Sequence, residues 1–380
     1  MSEFQPAKRL RGIEKSMIRQ LFERARPGSI NLGLGEPDLP TPQVIRRAAV
    51  RTITEEQNSY TSHAGLAALR GHVAADYPQL RLTPESVIIT AGSQEALYLA
   101  LMTLVDEGDE VLLPNPGFVA YPAIVRMAGG RSVFYRLPAT ENFAFDPEDF
   151  SRRLSQRTKA VVCISPSNPT GRTLSRDDLA AISATLAGTN IFVISDEIYR
   201  ELHFTAERPA SIASYYARTL VIGGVSKSLS MTGWRLGWLC GEEDFIKSAL
   251  VLHGYVTTCA STISQKAAEA AAWTTEAETA RQEMRNIFRE RRDYLLELME
   301  RELGLPTVIP DGAFYAMVDT SAYGSSITVA ETLLEHGVIT VPGSAFGSEA
   351  EGFLRVSFCA DKPVLAEGIR RIGEALSSLQ

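Results

Sequence analysis

Short apolar runs alternate with stretches of helical spacing through the middle of the chain, from about residue 85 to about residue 253. Apolar runs of this length, bounded by turn residues, are typical of buried strands. The predicted strands are Val87–Thr90, Val111–Leu113, Val133–Tyr135, Ala160–Ile164, Ile191–Ser195, Leu220–Gly223 and Leu236–Cys240. Helices are predicted between them, the first two at Gln94–Val105 and 119–128. The alternation predicts an α/β fold whose mostly parallel sheet is covered by helices on both faces.

The pattern changes after about residue 263. The segment Ser264–Leu303 is rich in Ala, Glu and Arg and contains no proline, which predicts one long or kinked helix leading out of the sheet. The strands predicted beyond it are Phe314–Val318, Val338–Val341 and Phe353–Phe358, with helices near 326–336 and 363–378. These elements indicate a smaller α+β unit.

The change of pattern predicts two domains. A chain of 380 residues is long for a single domain, since domains average roughly 150 residues. We expect a large domain over residues 41–275, and a small domain formed by residues 1–40 together with 276–380. The turn-rich segment Leu32–Pro37 is expected to pack with the small domain, because it precedes the main fold.

Composition and charge argue against several classes of function. The net charge is −7, so the surface lacks the basic excess that nucleic acids attract. The longest apolar stretch, Ala96–Val105, is shorter than the roughly 20 residues that a membrane span needs. Four cysteines and five histidines are too scattered for a metal site, and no apolar segment follows the basic run Lys8–Arg11 as it would in a signal peptide. We therefore expect a cytoplasmic protein that binds no metal, nucleic acid or membrane.

Several polar side chains directly follow predicted strands, where ligands of parallel α/β sheets bind. Lys227 follows Leu220–Gly223, Asp196 ends Ile191–Ser195, and Asn168 lies in a turn fixed by two prolines. Ser93 and Gln94 begin a helix whose N–H groups suit a phosphate. Taken singly, each has a plain structural alternative: a surface lysine, a helix cap, or an ordinary strand–helix turn.

Together these side chains supply what a phosphorylated pyridine aldehyde requires. Lys227 offers the amine for a Schiff base. Asp196 offers the anion that keeps a pyridine nitrogen protonated, so that the ring acts as an electron sink. Asn168 and Tyr199 can hydrogen-bond a phenolic oxygen. The groups suited to the phosphate are Ser93, Gln94, Ser226 and Arg235.

The ordered motifs NPTG (168–171), SDEIY (195–199), SKS (226–228) and GWRLGW (233–238) form a specific set. By these motifs the chain resembles the aspartate-aminotransferase superfamily, the class I/II aminotransferases of fold type I that depend on pyridoxal 5'-phosphate. The likeness extends from Asn31 to Phe358. It implies a large domain with a mostly parallel sheet, a smaller α+β domain, and a homodimer with shared active sites.

The resemblance also implies roles for single residues. Lys227 would form the Schiff base and move the substrate's α-proton, Asp196 would pair with the pyridinium, and Tyr199 would bind the phenolate with Asn168. The remaining matches are Phe118, which would stack on the ring, Arg355, which would grip the substrate carboxylate beside Gly35 and Asn168, and Tyr60, which would reach the phosphate of the neighbouring subunit.

The implied reaction moves an amino group between an L-amino acid and a 2-oxo acid. Family members specific for dicarboxylates place a cationic side chain against the distal carboxylate of the substrate. One branch has a lysine where this chain has Gln94, and the other has an arginine of the partner subunit near the segment 253–257, which holds no Lys or Arg here. Strict aspartate specificity is therefore not expected. Tyr255, Trp234 and Phe314 are candidates to line a pocket for neutral or aromatic side chains, with core packing as the alternative. A carbon–sulfur lyase or a cyclase on the same scaffold is the alternative function. A DNA-binding regulator is disfavoured, because only about 30 residues precede Gly35.

Overall fold

The structure is a computed structural model that describes residues 4–379. Its strands, in chain order, are β1 (Ile30–Asn31), β2 (Val87–Thr90), β3 (Glu110–Asn115), β4 (Arg131–Arg136), β5 (Thr158–Ile164), β6 (Phe192–Asp196), β7 (Thr219–Gly224), β8 (Gly237–Cys240), β9 (Thr307–Val308), β10 (Tyr315–Asp319), β11 (Val338–Ile339), β12 (Val341–Pro342) and β13 (Phe353–Ser357). Its helices are α1 (Met17–Arg24), α2 (Gln43–Glu55), α3 (Ala67–Ala75), α4 (Ser93–Leu104), α5 (Ala120–Met127), α6 (Pro147–Arg153), α7 (Arg176–Leu186), α8 (Glu243–Val256), α9 (Thr262–Ala271), α10 (Thr275–Leu298), α11 (Ser326–Glu335) and α12 (Lys362–Ser377).

A seven-stranded sheet forms the centre of the chain, in the order β2-β8-β7-β6-β5-β3-β4. Every neighbouring pair is parallel except those of β8, which runs antiparallel to both β2 and β7. The α/β fold with a mostly parallel sheet is therefore confirmed. The exception follows from the chain path, because β7 leads to β8 through a short connection and no crossover helix lies between them.

Helices cover both faces of this sheet, and alternate strand residues belong to different cores. Ile88 and Ile222 pack on one face with apolar residues of α4, α5, α8 and α10. Ile89 and Val221 pack on the other face with residues of α2, α3 and α9. Farther along that face, Val161 packs with residues of α6 and α7. Strands that are buried on both faces explain why the sequence shows continuous apolar runs and no alternation.

Two smaller sheets lie outside the central one. A four-stranded antiparallel sheet has the order β12-β13-β10-β9, and a parallel pair joins β1 to β11. The register Ile30↔Val338 ties the amino-terminal segment to the carboxyl-terminal part of the chain. The domain limits 41–275 and 1–40 with 276–380 stay a prediction, and residues 1–3 and 380 of it lie outside the described residues.

The expectation of one long or kinked helix over Ser264–Leu303 is wrong. The chain forms α9 and α10, which are separated at residues 272–274, and a short π-helical turn at Met299–Leu303 ends the second. Thr274 starts the new helix, because its side chain accepts a hydrogen bond from the N–H of Ala277. Trp273 is held at the break by Asp76 and by stacking on His72. Helix α8 was not predicted.

Candidate active site

The carboxyl ends of the parallel strands bring the predicted site residues to one edge of the sheet. Asp196 is the last residue of β6, Lys227 follows β7, and Asn168 follows β5. Ser93 begins α4 directly after the turn that follows β2. Because β8 runs in the opposite direction, Arg235, which lies just before its first residue, reaches the same edge.

A cavity of about 290 Å³ opens at this edge. Eleven of the twelve site residues predicted from the sequence line it, namely Gly35, Ser93, Gln94, Phe118, Asn168, Asp196, Tyr199, Ser226, Lys227, Arg235 and Arg355. Tyr60 does not line it. Its side chain is 85% exposed and borders a separate surface cavity with residues 259–263.

Lys227 is held in the cavity by the backbone of Gly35. Its Nζ donates a hydrogen bond to the carbonyl oxygen of Gly35 at 2.7 Å, which joins the loop after β7 to the amino-terminal segment. Burial lowers the pKa of Lys227 from its usual value. The shift raises the fraction of neutral amine at neutral pH, and the neutral form is the one that can attack a carbonyl or accept a proton.

Asp196 is a buried carboxylate with two hydrogen-bond donors, and no cation among residues 4–379 forms an ion pair with it. Its Oδ2 accepts from the hydroxyl of Tyr121 at 2.9 Å, and its Oδ1 accepts from the N–H of Ile198 at 3.2 Å. Burial nevertheless raises the pKa of Asp196 to about 6, although both donors oppose the shift. An acid in such a place favours a cationic partner, and a protonated ring nitrogen would be one.

The first turn of α4 forms a cradle for an anion. Gly92 precedes the helix with no side-chain cap, so the first N–H groups, on Ser93 and Gln94, are not taken up by a capping side chain. The guanidinium of Arg235 lies across this turn, with Nη2 donating to the carbonyl oxygen of Ala91 at 3.3 Å. A side chain on Gly92 would come within 2.5 Å of that Nη2. Free helix N–H groups beside an arginine suit a phosphate dianion.

Glu95 holds the cradle in place from behind. Its Oε2 accepts from the N–H of Ala91, and its Oε1 accepts from Thr257 Oγ1 at 2.7 Å and faces His253 Nδ1 at 3.0 Å. Burial alone would raise the pKa of Glu95, but these hydrogen bonds lower it. The carboxylate therefore stays ionised and ties α4 to the end of α8.

Arg355 lies at the opposite end of the cavity and is fully enclosed. Its Nη1 donates to Asn168 Oδ1 at 2.9 Å, and its Nη2 donates to the carbonyl oxygen of Gly33. The guanidinium lies between the rings of Tyr315 and Phe346, with Cζ 4.2 Å and 4.8 Å from the two centroids. Its Nε has no hydrogen-bond partner among residues 4–379. A buried guanidinium with unused donors suits a carboxylate ligand.

Seven residues at this site were not predicted from the sequence. Tyr121 holds Asp196, Tyr315 lies beside Arg355, and the remaining lining of the cavity is formed by Ile18, Leu34, Ile164, Ile198 and Thr232. Tyr121 lies three residues after Phe118, which precedes α5, and no sequence pattern marked it as a partner of Asp196. Ile18 and Leu34 gave no signal, because both are ordinary apolar residues of the amino-terminal segment.

The three candidates for a side-chain pocket, Tyr255, Trp234 and Phe314, do not line the cavity. Tyr255 is 90% exposed, Phe314 is fully buried behind the site, and the indole N–H of Trp234 donates to Thr41. For Phe314 and Trp234 the packing alternative is the one that the structure favours.

Among residues 4–379, no group of His, Cys, Asp and Glu side chains could hold a metal ion. None of the helices in this part of the chain is both long enough and apolar enough to cross a membrane.

Comparison with known proteins places this geometry in one family. The family model described as "Aminotransferase class I and II" matches residues 27–372. The aspartate aminotransferase of Pyrococcus horikoshii is 36% identical over 97% of both chains, and the probable N-acetyl-LL-diaminopimelate aminotransferase of Bacillus subtilis is 40% identical over 95% of this chain and 93% of its own.

A solved structure agrees with these sequence matches. The aspartate aminotransferase from Thermus thermophilus with maleate superimposes with a TM-score of 0.93 at 33% identity, over 98% of this chain and all of that one. Each of these relatives is named an aminotransferase, and the alternative of a lyase or a cyclase finds no support among them.

Proposed function

The chain belongs to the class I and II aminotransferases, and we propose that it works with pyridoxal 5'-phosphate bound through Lys227. It is an aminotransferase that moves an amino group between an L-amino acid and a 2-oxo acid. The observation that carries the cofactor assignment is the gathering of a buried lysine, a buried aspartate and an anion cradle around one cavity.

Three groups of lining residues match three parts of the cofactor. The cradle at Ser93, with Gln94, Ser226 and Arg235, would hold the phosphate. Asp196 would pair with the ring nitrogen, and Phe118 would lie against the ring face. Tyr199 and Asn168 would donate to the phenolic oxygen. When bound, the cofactor supplies an electron-withdrawing ring that makes the α-proton of an amino acid acidic.

The chain's own groups would carry the remaining work. Arg355 would bind the substrate carboxylate through its unused donors beside Gly35, which fixes which substituent of the α-carbon faces Lys227. Lys227 Nζ would hold the cofactor and then accept and return the α-proton, a task for which its lowered pKa suits it. Asp196 and Tyr121 would keep a negative charge opposite the ring nitrogen.

The substrate side chain meets few charges in this cavity. Its lining contains three cations, and Lys227, Arg235 and Arg355 already have partners in the arrangement above. Ile18 and Leu34 are apolar, and Gln94 is an uncharged amide. A site without a spare cation gives a second carboxylate no ion pair, which supports a range of amino acids wider than aspartate.

We further propose a cytoplasmic homodimer in which Tyr60 completes the cavity of the neighbouring subunit. The support is the exposure of Tyr60, which borders the surface cavity at residues 259–263, and the exposure of a second large aromatic side chain, Tyr255. Exposed aromatic side chains are typical of protein–protein contacts. The four cysteines are free thiols, as expected in a reducing compartment.

The cofactor assignment is tested by absorbance. Purified protein given pyridoxal 5'-phosphate should develop a visible band whose position changes with pH, and Lys227→Ala should abolish it. Lys247→Ala, which removes an exposed lysine of α8, is the matched control and should keep the band. A band that survives in the Lys227 variant, or is absent from the parent protein, contradicts the proposal.

A further inference from the structure

Tyr315 is a buried residue at the centre of the site that none of the sequence motifs includes. It is the first residue of β10, and its side chain is 2% exposed. Its hydroxyl oxygen lies 3.0 Å from the hydroxyl oxygen of Tyr199, with the two rings edge to face. Tyr315 therefore contacts the residue proposed to bind the phenolic oxygen of the cofactor.

The ring of Tyr315 also supports Arg355. In the register of β10 and β13, Met317 pairs with Arg355 and Tyr315 pairs with Ser357, so Tyr315 and Arg355 are diagonal neighbours on one face. The guanidinium carbon lies 4.2 Å from the centroid of the Tyr315 ring. A cation this close to a ring face is attracted to it, and the flat contact fixes the plane of the guanidinium.

The backbone of Gly35 leaves room for this hydroxyl. A methyl group on Gly35 would overlap the hydroxyl oxygen of Tyr315, at 1.6 Å. The carbonyl oxygen of the same glycine accepts the hydrogen bond from Lys227. The side chain of Tyr315 therefore contacts Gly35, whose carbonyl oxygen accepts from Lys227. It also contacts Tyr199 and Arg355.

From this geometry we infer that Tyr315 is a positioning residue that acts on both ends of the cavity. Its hydroxyl donates to Tyr199 and so directs the proton of Tyr199 into the cavity, while its ring holds Arg355 in the plane needed for a carboxylate. The inference rests on the proposed function, because it assigns a role toward the same cofactor and substrate.

Either hydroxyl of the pair can donate to the other, and the inference requires that Tyr315 is the donor. Burial raises the pKa of Tyr315 to about 12 and that of Tyr199 well above its usual value, so both hydroxyls keep their protons at neutral pH. Tyr315 has no second hydrogen-bond partner within the described residues. If Tyr315 donates, the proton of Tyr199 remains free for an acceptor in the cavity. The charged and titratable groups around Tyr315 are Tyr199, Arg355 and Cys359, with Lys227 beyond Gly35.

The hydroxyl is tested by the pH midpoint of the absorbance change in the protein loaded with pyridoxal 5'-phosphate. Tyr315→Phe removes the donor to Tyr199, weakens donation by Tyr199 to the phenolic oxygen, and should raise the midpoint by roughly half a pH unit. Tyr199→Phe should raise it further, and adding Tyr315→Phe to that variant should produce no further shift. Tyr135→Phe, which removes a buried hydroxyl bonded to Val162 in another core, should leave the midpoint unchanged.

The ring is tested by comparing two substitutions. Tyr315→Phe keeps the ring beside Arg355 and should change the KM for amino acids little, whereas Tyr315→Leu should raise it roughly tenfold relative to Phe. A midpoint that does not move in Tyr315→Phe, or that moves equally in the Tyr199→Phe background, overturns the inference while leaving the proposed function intact. Equal KM values in the Phe and Leu variants overturn the role of the ring. A parent protein without any pH-dependent band overturns the proposed function and the inference together.

Discussion

The buried part of the cavity and the surface around Tyr60 differ in how many contacts their side chains find within a single chain. In the buried part, Asp196 and Arg355 have fixed hydrogen-bond partners from distant parts of the chain. Around Tyr60 and Tyr255, large aromatic side chains are 85% and 90% exposed. The difference supports the proposal that the buried groups act within one chain and that Tyr60 serves a second copy of the chain.

Replacement of Asp196 should have the largest effect on activity, because Asp196 belongs to the buried part of the cavity that a single chain forms by itself. Asp196→Asn keeps the shape but removes the charge opposite the ring nitrogen, and kcat/KM should fall by roughly a hundred- to a thousandfold. Asp196→Glu keeps a carboxylate and should lose less. Steady-state kinetics with a neutral amino acid and 2-oxoglutarate measures the effect, and equal losses in both variants would contradict the role of charge.

The same substitution should stabilise the protein without cofactor, in a pH-dependent way. Burial raises the pKa of Asp196 to about 6 from its ordinary value of 3.8, so at a pH between these values the folded chain holds a proton on this group that the unfolded chain has lost. Stability contributed by this group therefore falls as pH rises through that window, by about 3 kcal/mol in all. Denaturant unfolding of the apoprotein should find Asp196→Asn more stable than the parent at pH 8, with the difference much smaller at pH 4. A difference independent of pH would argue against an unfavourable carboxylate.

The proposed sharing of the site between two subunits is tested by mixing two impaired variants. Tyr60→Ala should lose roughly ten- to a hundredfold in activity, because it would remove the hydrogen bond that Tyr60 is proposed to make to a charged phosphate. If Tyr60 serves the neighbouring subunit, a hybrid of Lys227→Ala and Tyr60→Ala chains has one intact cavity. Unfolding and refolding the two variants together should then restore about a quarter of the parent activity. If Tyr60 serves its own chain, neither cavity of the hybrid is intact and no activity returns.

The smallest expected effect concerns the substrate side chain. Gln94→Lys adds a cation to a cavity whose lining has none to spare, and it should raise kcat/KM for aspartate about fivefold relative to a neutral amino acid, as expected for a partly exposed ion pair. Gln94→Met is the control for size and should show no such gain. If the parent protein already prefers aspartate strongly over neutral amino acids, a cation from elsewhere is serving the second carboxylate.

The parts of the fold predicted from sequence are those set by local pattern. Strands buried on both faces appear as apolar runs, and a polar residue directly after such a run, such as Asp196 or Lys227, is placed at the sheet edge by the strand itself. The break between α9 and α10 was missed because a cap at Thr274 was outweighed by strong helix formers on both sides. Tyr121 and Tyr315 could not be assigned, since their roles arise from contacts 75 and 116 residues away along the chain.

The measurement that tests the central claim most directly is chemical trapping of the lysine. Protein incubated with pyridoxal 5'-phosphate is reduced with borohydride, which makes a lysine adduct permanent, then digested and mapped by mass spectrometry. Stoichiometric modification of Lys227 is expected in the parent protein, and no stoichiometric adduct at any other lysine is expected in Lys227→Ala. Labelling spread over exposed lysines such as Lys247, with Lys227 unmodified, would contradict it.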